Sequence, residues 1–142
     1  METTKNTAKG KRFQKEVQKW FSLNRNEKFN TEVAMPIGFP AKLHKFDLAN
    51  ESATVFVECK NYTWTASGNI PSAKLAFCNE AIFLLRLLPA TCEKWLVMVK
   101  STHPKRTETL AEYYCKTYKH LFGDVKVAEY DCENDMFTLL SL

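Results

Sequence analysis

The stretch VFVECKNY, residues 55–62, decides how the chain folds. Val55, Phe56 and Val57 are apolar on both faces of any strand they form, which is the pattern of a strand inside a sheet rather than at its edge. The run then places a carboxylate, Glu58, and an ammonium, Lys60, two positions apart. Side chains alternate along a strand, so Glu58 and Lys60 share one side while Cys59 turns into the opposite layer. By itself such a pair also describes an ion pair at a fraying strand end.

The segments on either side set the topology. Residues 31–35, 43–48 and 53–60 are three β-like runs, separated by the Pro36/Gly38/Pro40 turn and the Asn50-Glu51-Ser52 turn, and links this short predict an antiparallel meander. Before them, Phe13, Val17, Trp20 and Phe21 fall at i, i+4, i+7 and i+8 and predict an amphipathic helix over residues 8–23. After them comes the polar loop NYTWTASGN, then a helix entered through Pro71 and stopped before Pro89, then the buried strand 94–100. Strand, helix and buried strand in that order predict a right-handed parallel crossover.

A further helix over 107–122, a strand over 125–130, and a tail from Met136 that fits either a strand or a helix complete the chain. The predicted order is α-β-β-β-α-β-α-β, an α/β mixed sheet flanked by helices. At 142 residues this is one domain, with a core about 8–100 and an extension about 105–142.

Composition narrows the class. No window holds the eighteen or so consecutive apolar residues of a membrane span, and the polar start METTKNTAKGKR has no apolar signal core, so the expectation is a cytoplasmic protein without a membrane partner. Five widely spaced cysteines with no C-x-x-C pair fit reduced thiols better than disulfides or a structural zinc site. The net charge of +4 permits a polyanionic partner without demanding one. Lys5, Lys9, Lys11, Arg12, Lys15 and Lys19 crowd the first twenty residues, and Lys100, Lys105 and Arg106 form a second group. Both groups suit phosphate contacts or, equally, solvated surface.

The chemistry turns on Asp47, which lies between Phe46 and Leu48 in the run preceding VFVECKNY. If the two runs are neighbouring strands, Asp47 and Glu58 converge. Two close carboxylates repel unless a cation sits between them, and hard oxygen ligands favour Mg²⁺ or Mn²⁺.

Asp47, Glu58 and Lys60, in the pattern D-x10-E-x-K, resemble the signature of the PD-(D/E)xK nuclease superfamily, and the predicted element order is similar to its restriction-endonuclease-like core, α-β-β-β-α-β. The resemblance covers roughly residues 10–100. It implies a Mg²⁺- or Mn²⁺-dependent endonuclease acting on DNA: Asp47 and Glu58, with the backbone carbonyl of Cys59, as metal ligands, and Lys60 orienting the attacking water. Glu16, on the predicted inward side of the first helix, resembles the helix-one glutamate that completes the metal site in the Holliday-junction-resolvase-like and Mrr-like branches; pairing with Arg12 or Lys19 is its alternative.

Lys74, opening the helix after the motif, matches a position where the superfamily often carries a Lys or Gln reaching the site, or it snorkels from an apolar helix end. The proline of the family name is absent, Phe46 standing before Asp47, and the glycine-and-arginine setting usual in resolvases is missing. Tyr62 and Trp64 suit base stacking or packing under their loop. Ser67 and Asn69, flanking Gly68, form a turn that fits against a phosphate. His44, His103 and His120 carry no partner at a legible spacing. The helix over 75–88 is apolar nearly all round and suggests a homodimer. The competing reading is a non-catalytic DNA-binding or homodimeric interaction module on the same fold.

Overall fold

The computed structural model of the chain describes residues 2–141, with side chains from residue 8 onward, so Met1, Leu142 and the side chain of Lys5 lie outside the described residues. The elements run α1 (Glu2–Arg25), β1 (Phe29–Ile37), β2 (Lys42–Asn50), β3 (Val55–Lys60), α2 (Ser72–Arg86), β4 (Glu93–Val99), α3 (Leu110–Tyr118), β5 (Lys126–Asp131) and β6 (Met136–Leu139). A single six-stranded mixed sheet has the order β1-β2-β3-β4-β5-β6. The first three strands are the antiparallel meander, β3, β4 and β5 run parallel through the helical crossovers, and β6 returns antiparallel on β5.

Two apolar layers sandwich the sheet. Phe13, Val17 and Phe21 of α1 pack on Leu48, Val55, Val57, Trp95 and Val97 on one face. On the other, α2 and α3 bury Leu75, Ile82, Leu85, Leu110 and Tyr114 against Phe46, Phe56, Leu96 and Met98. Val55 and Val57 therefore serve one layer and Phe56 the other, as a strand buried on both faces requires. Part of α2 remains uncovered: Phe77, Phe83 and Leu87 are exposed.

Local chemistry fixes the joints. The Asn50 carboxamide closes the β2–β3 turn: its Oδ1 accepts from Thr54 N at 2.8 Å and Val55 N at 2.9 Å, and its Nδ2 donates to Glu27 Oε1 at 3.1 Å. Ala53 then takes a left-handed φ of 53°, so β3 starts at Val55 instead of Ala53. A capping box between Thr109 and Glu112 starts α3, three residues inside the predicted range. A 3-10 turn over Lys119–Leu121 ends it early. No described helix is long and apolar enough to cross a membrane, and all five cysteines are free thiols.

Candidate active site

The antiparallel ladder between β2 and β3 consists of Leu48↔Val57 and Ala49↔Phe56. One step further along the same register, Asp47 stands opposite Glu58, and there side chains replace the backbone ladder. The backbone N–H of Asp47 donates to Glu58 Oε1 at 3.0 Å, and that of Cys59 donates to Asp47 Oδ2 at 2.8 Å. Each carboxylate thus crosses the gap between the parting strands and satisfies an N–H that the ladder leaves open.

The β1–β2 ladder is broken at the same point. Thr31 pairs with Leu48 and Val33 with Phe46, but Glu32, with φ 53°, forms no pair with Asp47 between them. Side-chain alternation in β2 fails there too, because Phe46 packs in the α2-side layer and Leu48 in the α1-side layer. A non-glycine residue in the left-handed region is a local strain of the kind that gathers at functional sites.

The electrostatics follow from this crowding. Glu58 is only 5% exposed, and burial together with the Asp47 charge pushes its carboxyl up to about 8. Burial also raises Asp47, against the hydrogen bond from Cys59 and the Lys60 charge. Burial pulls the Lys60 ammonium down, but Tyr62, Glu58 and Asp47 outweigh it and the net shift is upward. Lys60 is therefore a cation at neutral pH. It can orient and stabilise but has no lone pair to accept a proton.

Lys60 opens onto a cleft of about 580 Å³ at the C-terminal end of β3, lined also by Lys9, Asn61, Tyr62 and Lys74. The Tyr62 ring is approached by two lysines, with Lys60 Nζ at 5.9 Å and Lys74 Nζ at 5.4 Å from its centroid. The structure thus gathers Asp47, Glu58 and Lys60 at the strand break and Lys74 and Lys9 at the rim of the adjoining cleft. Lys11, Arg12 and Lys15 are exposed along α1.

Two expected residues have surroundings other than the carboxylate pair. Glu16 lines one pocket with Lys19, Trp20, Tyr130, Cys132 and Asp135, and a second with Lys9 and Asn61, which also line the Lys60 cleft. The reason is which flank of α1 faces which strand: Trp20, four residues on, stacks on Phe137 of β6 at 3.8 Å, whereas Gln14 and Gln18 on the opposite flank bond Glu32 and Phe29 O of β1. The third acidic group whose charge bears on Asp47 and Glu58 is Glu32. Trp64 is buried, with the Arg106 guanidinium 4.4 Å from its ring centroid, so it packs and offers no face to a base.

Ser67 and Asn69 remain exposed, bonded to each other at 3.1 Å in a turn that Arg106 Nε holds through Gly68 O at 2.7 Å. Gly68 needs to be glycine there: its φ is +84°, and a Cβ would sit 2.8 Å from His103 Nδ1.

A divalent cation fits this donor set. A buried carboxylate pair whose proton affinity is raised by mutual repulsion is a pair that gains from a cation. Among the described residues no three Asp, Glu, His or Cys side chains converge as a metal-binding group. No family model, no curated protein and no solved structure matches the chain.

Proposed function

We propose that the chain is a divalent-metal-dependent DNA endonuclease on a restriction-endonuclease-like core. The observation that carries this reading is the opposition of Asp47 and Glu58 where β2 and β3 part, with the Lys60 ammonium next along the same strand. Asp47 and Glu58, with the carbonyl of Cys59, would hold Mg²⁺ or Mn²⁺. Bound there, the cation supplies charge neutralisation at a phosphate and a lowered pKa for water.

The protein's own groups do the rest. Burial of Glu58 keeps bulk water from competing for the carboxylates. Lys60, permanently charged, holds the attacking water or a phosphate oxygen in line. Lys74 and Lys9, at the rim of the cleft, take neighbouring phosphates, as lysines do through point-charge contacts. Tyr62 offers its ring to both ammonium groups as a cation–π partner.

The test is a panel of labelled linear, nicked, branched and single-stranded DNAs incubated with wild type and Glu58→Ala, with and without Mn²⁺. Metal-dependent cleavage by wild type alone is the expected result. Cleavage unchanged in the variant defeats the assignment. A second reading, a homodimeric interaction module on the same fold, is favoured by the exposed Phe77, Phe83 and Leu87 of α2. Light scattering decides it, since Phe83→Glu would then convert a dimer into a monomer.

A further inference from the structure

His44 lies on β2, three residues before Asp47, and its ring stands edge-on to Phe46 at 4.6 Å. Its Nε2 is closed to solvent and has no hydrogen-bond partner, although the side chain as a whole is 30% exposed. A carboxyl oxygen, Glu58 Oε1, lies 3.8 Å from Nε2. A buried ring nitrogen without a partner is a desolvation penalty that calls for a reason, and a role as a cation ligand is one such reason.

The 3.8 Å separation is informative. It exceeds the roughly 2.7–3.2 Å of an N–H···O hydrogen bond. It is shorter than twice a metal–ligand distance of about 2.0–2.2 Å, so the two atoms lie within the reach of one ion. A plain ion pair would close this gap, because a charge-assisted hydrogen bond is worth more than a charge held at a distance. Glu58 Oε1 instead accepts from Asp47 N–H on its other side. The charged groups around the imidazole are Glu58 and Asp47, whose charge couples to His44; Glu32 acts on both carboxylates.

We propose that His44 supplies a nitrogen ligand to the cation held by Asp47 and Glu58, and that it biases the site toward Mn²⁺ over Mg²⁺; this rests on the reading that the two carboxylates hold a divalent cation. Glu58 Oε1 is the atom that His44 Nε2 approaches and that the Asp47 N–H bonds, and the three donors would meet at one ion once their side chains rotate from these positions. Imidazole nitrogen is a good ligand for first-row transition ions, whereas Mg²⁺ prefers oxygen and water.

The experiment titrates Mn²⁺ into the intact protein without DNA, reading free Mn²⁺ by electron paramagnetic resonance and the bound ion by pulsed methods that detect nitrogen coupling. Wild type is expected to bind Mn²⁺ with an imidazole nitrogen coupling that needs no variant to be seen. His44→Ala and His44→Gln lose the coupling and bind Mn²⁺ about ten- to a hundredfold more weakly, with Mg²⁺, measured by competition, changing much less. His103→Ala keeps the coupling. Glu58→Gln abolishes binding and so reports on the underlying cation site. Mn²⁺ bound in a Glu58-dependent way without nitrogen coupling, or an unchanged Mn²⁺/Mg²⁺ ratio in both His44 variants, overturns the proposal and leaves the cation site standing. No Mn²⁺ binding by wild type sinks both.

Discussion

Asp47 and Glu58 face each other across the one step at which β2 and β3 stop pairing, and the backbone N–H of the first is bonded to the carboxylate of the second at 3.0 Å. The contact has two consequences of opposite sign. The hydrogen bond favours the ionised carboxylate, while burial and the second negative charge oppose it and prevail. A pair in this state binds a proton when no cation is present.

The first prediction follows from that balance. Burial and the Asp47 charge raise the Glu58 carboxyl from 4.5 in the unfolded chain to about 8 in the fold. Below the lower value both states are protonated and the contribution to stability is complete. Between the two values the folded protein keeps a proton the unfolded chain has released, so stability falls as pH rises, by up to about 1.4 kcal/mol per pH unit for one proton. Asp47 shifts in the same direction. Urea unfolding of the metal-free protein should therefore give a midpoint that drops from about pH 5 to pH 8. The slope should shrink in Glu58→Gln, and Mn²⁺ should restore wild-type stability most at the alkaline end, where it replaces the proton. A midpoint independent of pH would contradict the buried pair.

Lys60 supports a prediction that separates binding from chemistry. Its ammonium is held charged by Tyr62, Glu58 and Asp47 against the pull of burial, and it is no ligand itself. Lys60→Met should leave Mn²⁺ affinity within a few-fold of wild type while slowing DNA cleavage by roughly a hundred- to ten-thousand-fold. Equal loss of metal binding and cleavage would mean that Lys60 maintains the carboxylate geometry and does not act on the reacting groups.

How much of this was legible in the sequence differs by level. The two-faced apolar run Val55–Val57 and the short turns around it carry the element order and the parallel step from β3 to β4, because burial pattern and link length constrain topology directly. The expected approach of Asp47 to Glu58 needs only that β2 and β3 be neighbours. Glu16 shows where periodicity stops: a helical stripe says that Phe13 and Val17 face a sheet, but not which flank lies over β1 and which over β6.

Glu32 and His44 were beyond reach for a related reason. Their relation to the site depends on strand register and on a break in alternation between Phe46 and Leu48 that no residue pattern announces. Trp64 and Tyr62 are two apart in an extended loop, yet one packs under Arg106 and the other is approached by two lysines. The packing of the 101–108 segment decides that.

A third prediction concerns the turn that sets the β2–β3 register. Asn50 is 5% exposed and bonds two backbone N–H groups, Thr54 Oγ1 and Glu27. Asn50→Ala strands two donors in the interior, and each such group costs about 1–3 kcal/mol. Partial solvation of the turn limits the total, so the expected loss is about 2–4 kcal/mol in urea unfolding. Asn50→Asp keeps the acceptors for Thr54 and Val55 but sets a charge beside Glu27, and should cost less. A loss under about 0.5 kcal/mol for the alanine variant, the size of an ordinary surface change, would mean that water replaces the side chain.

Lys94 gives the fourth prediction, and its sign pattern is unusual. The side chain is 2% exposed, and its Nζ donates to Leu88 O at 3.0 Å and to Asp124 Oδ2 at 2.8 Å, while the Asp124 side chain is 49% exposed. The ammonium is thus the desolvated partner and the carboxylate the solvated one. Removing the carboxylate leaves a buried charge with a single carbonyl, and Asp124→Ala should cost about 1–3 kcal/mol, between the values for an exposed pair and a fully buried one because water reaches Asp124. Adding Lys94→Met to Asp124→Ala removes the orphaned charge and fills its space, so the double variant should be more stable than Asp124→Ala alone. A thermodynamic cycle in urea measures the coupling. Simple additivity of the two losses would show that the ammonium finds water when Asp124 is gone, and that β4 is less tightly closed at this end than the burial of Lys94 indicates.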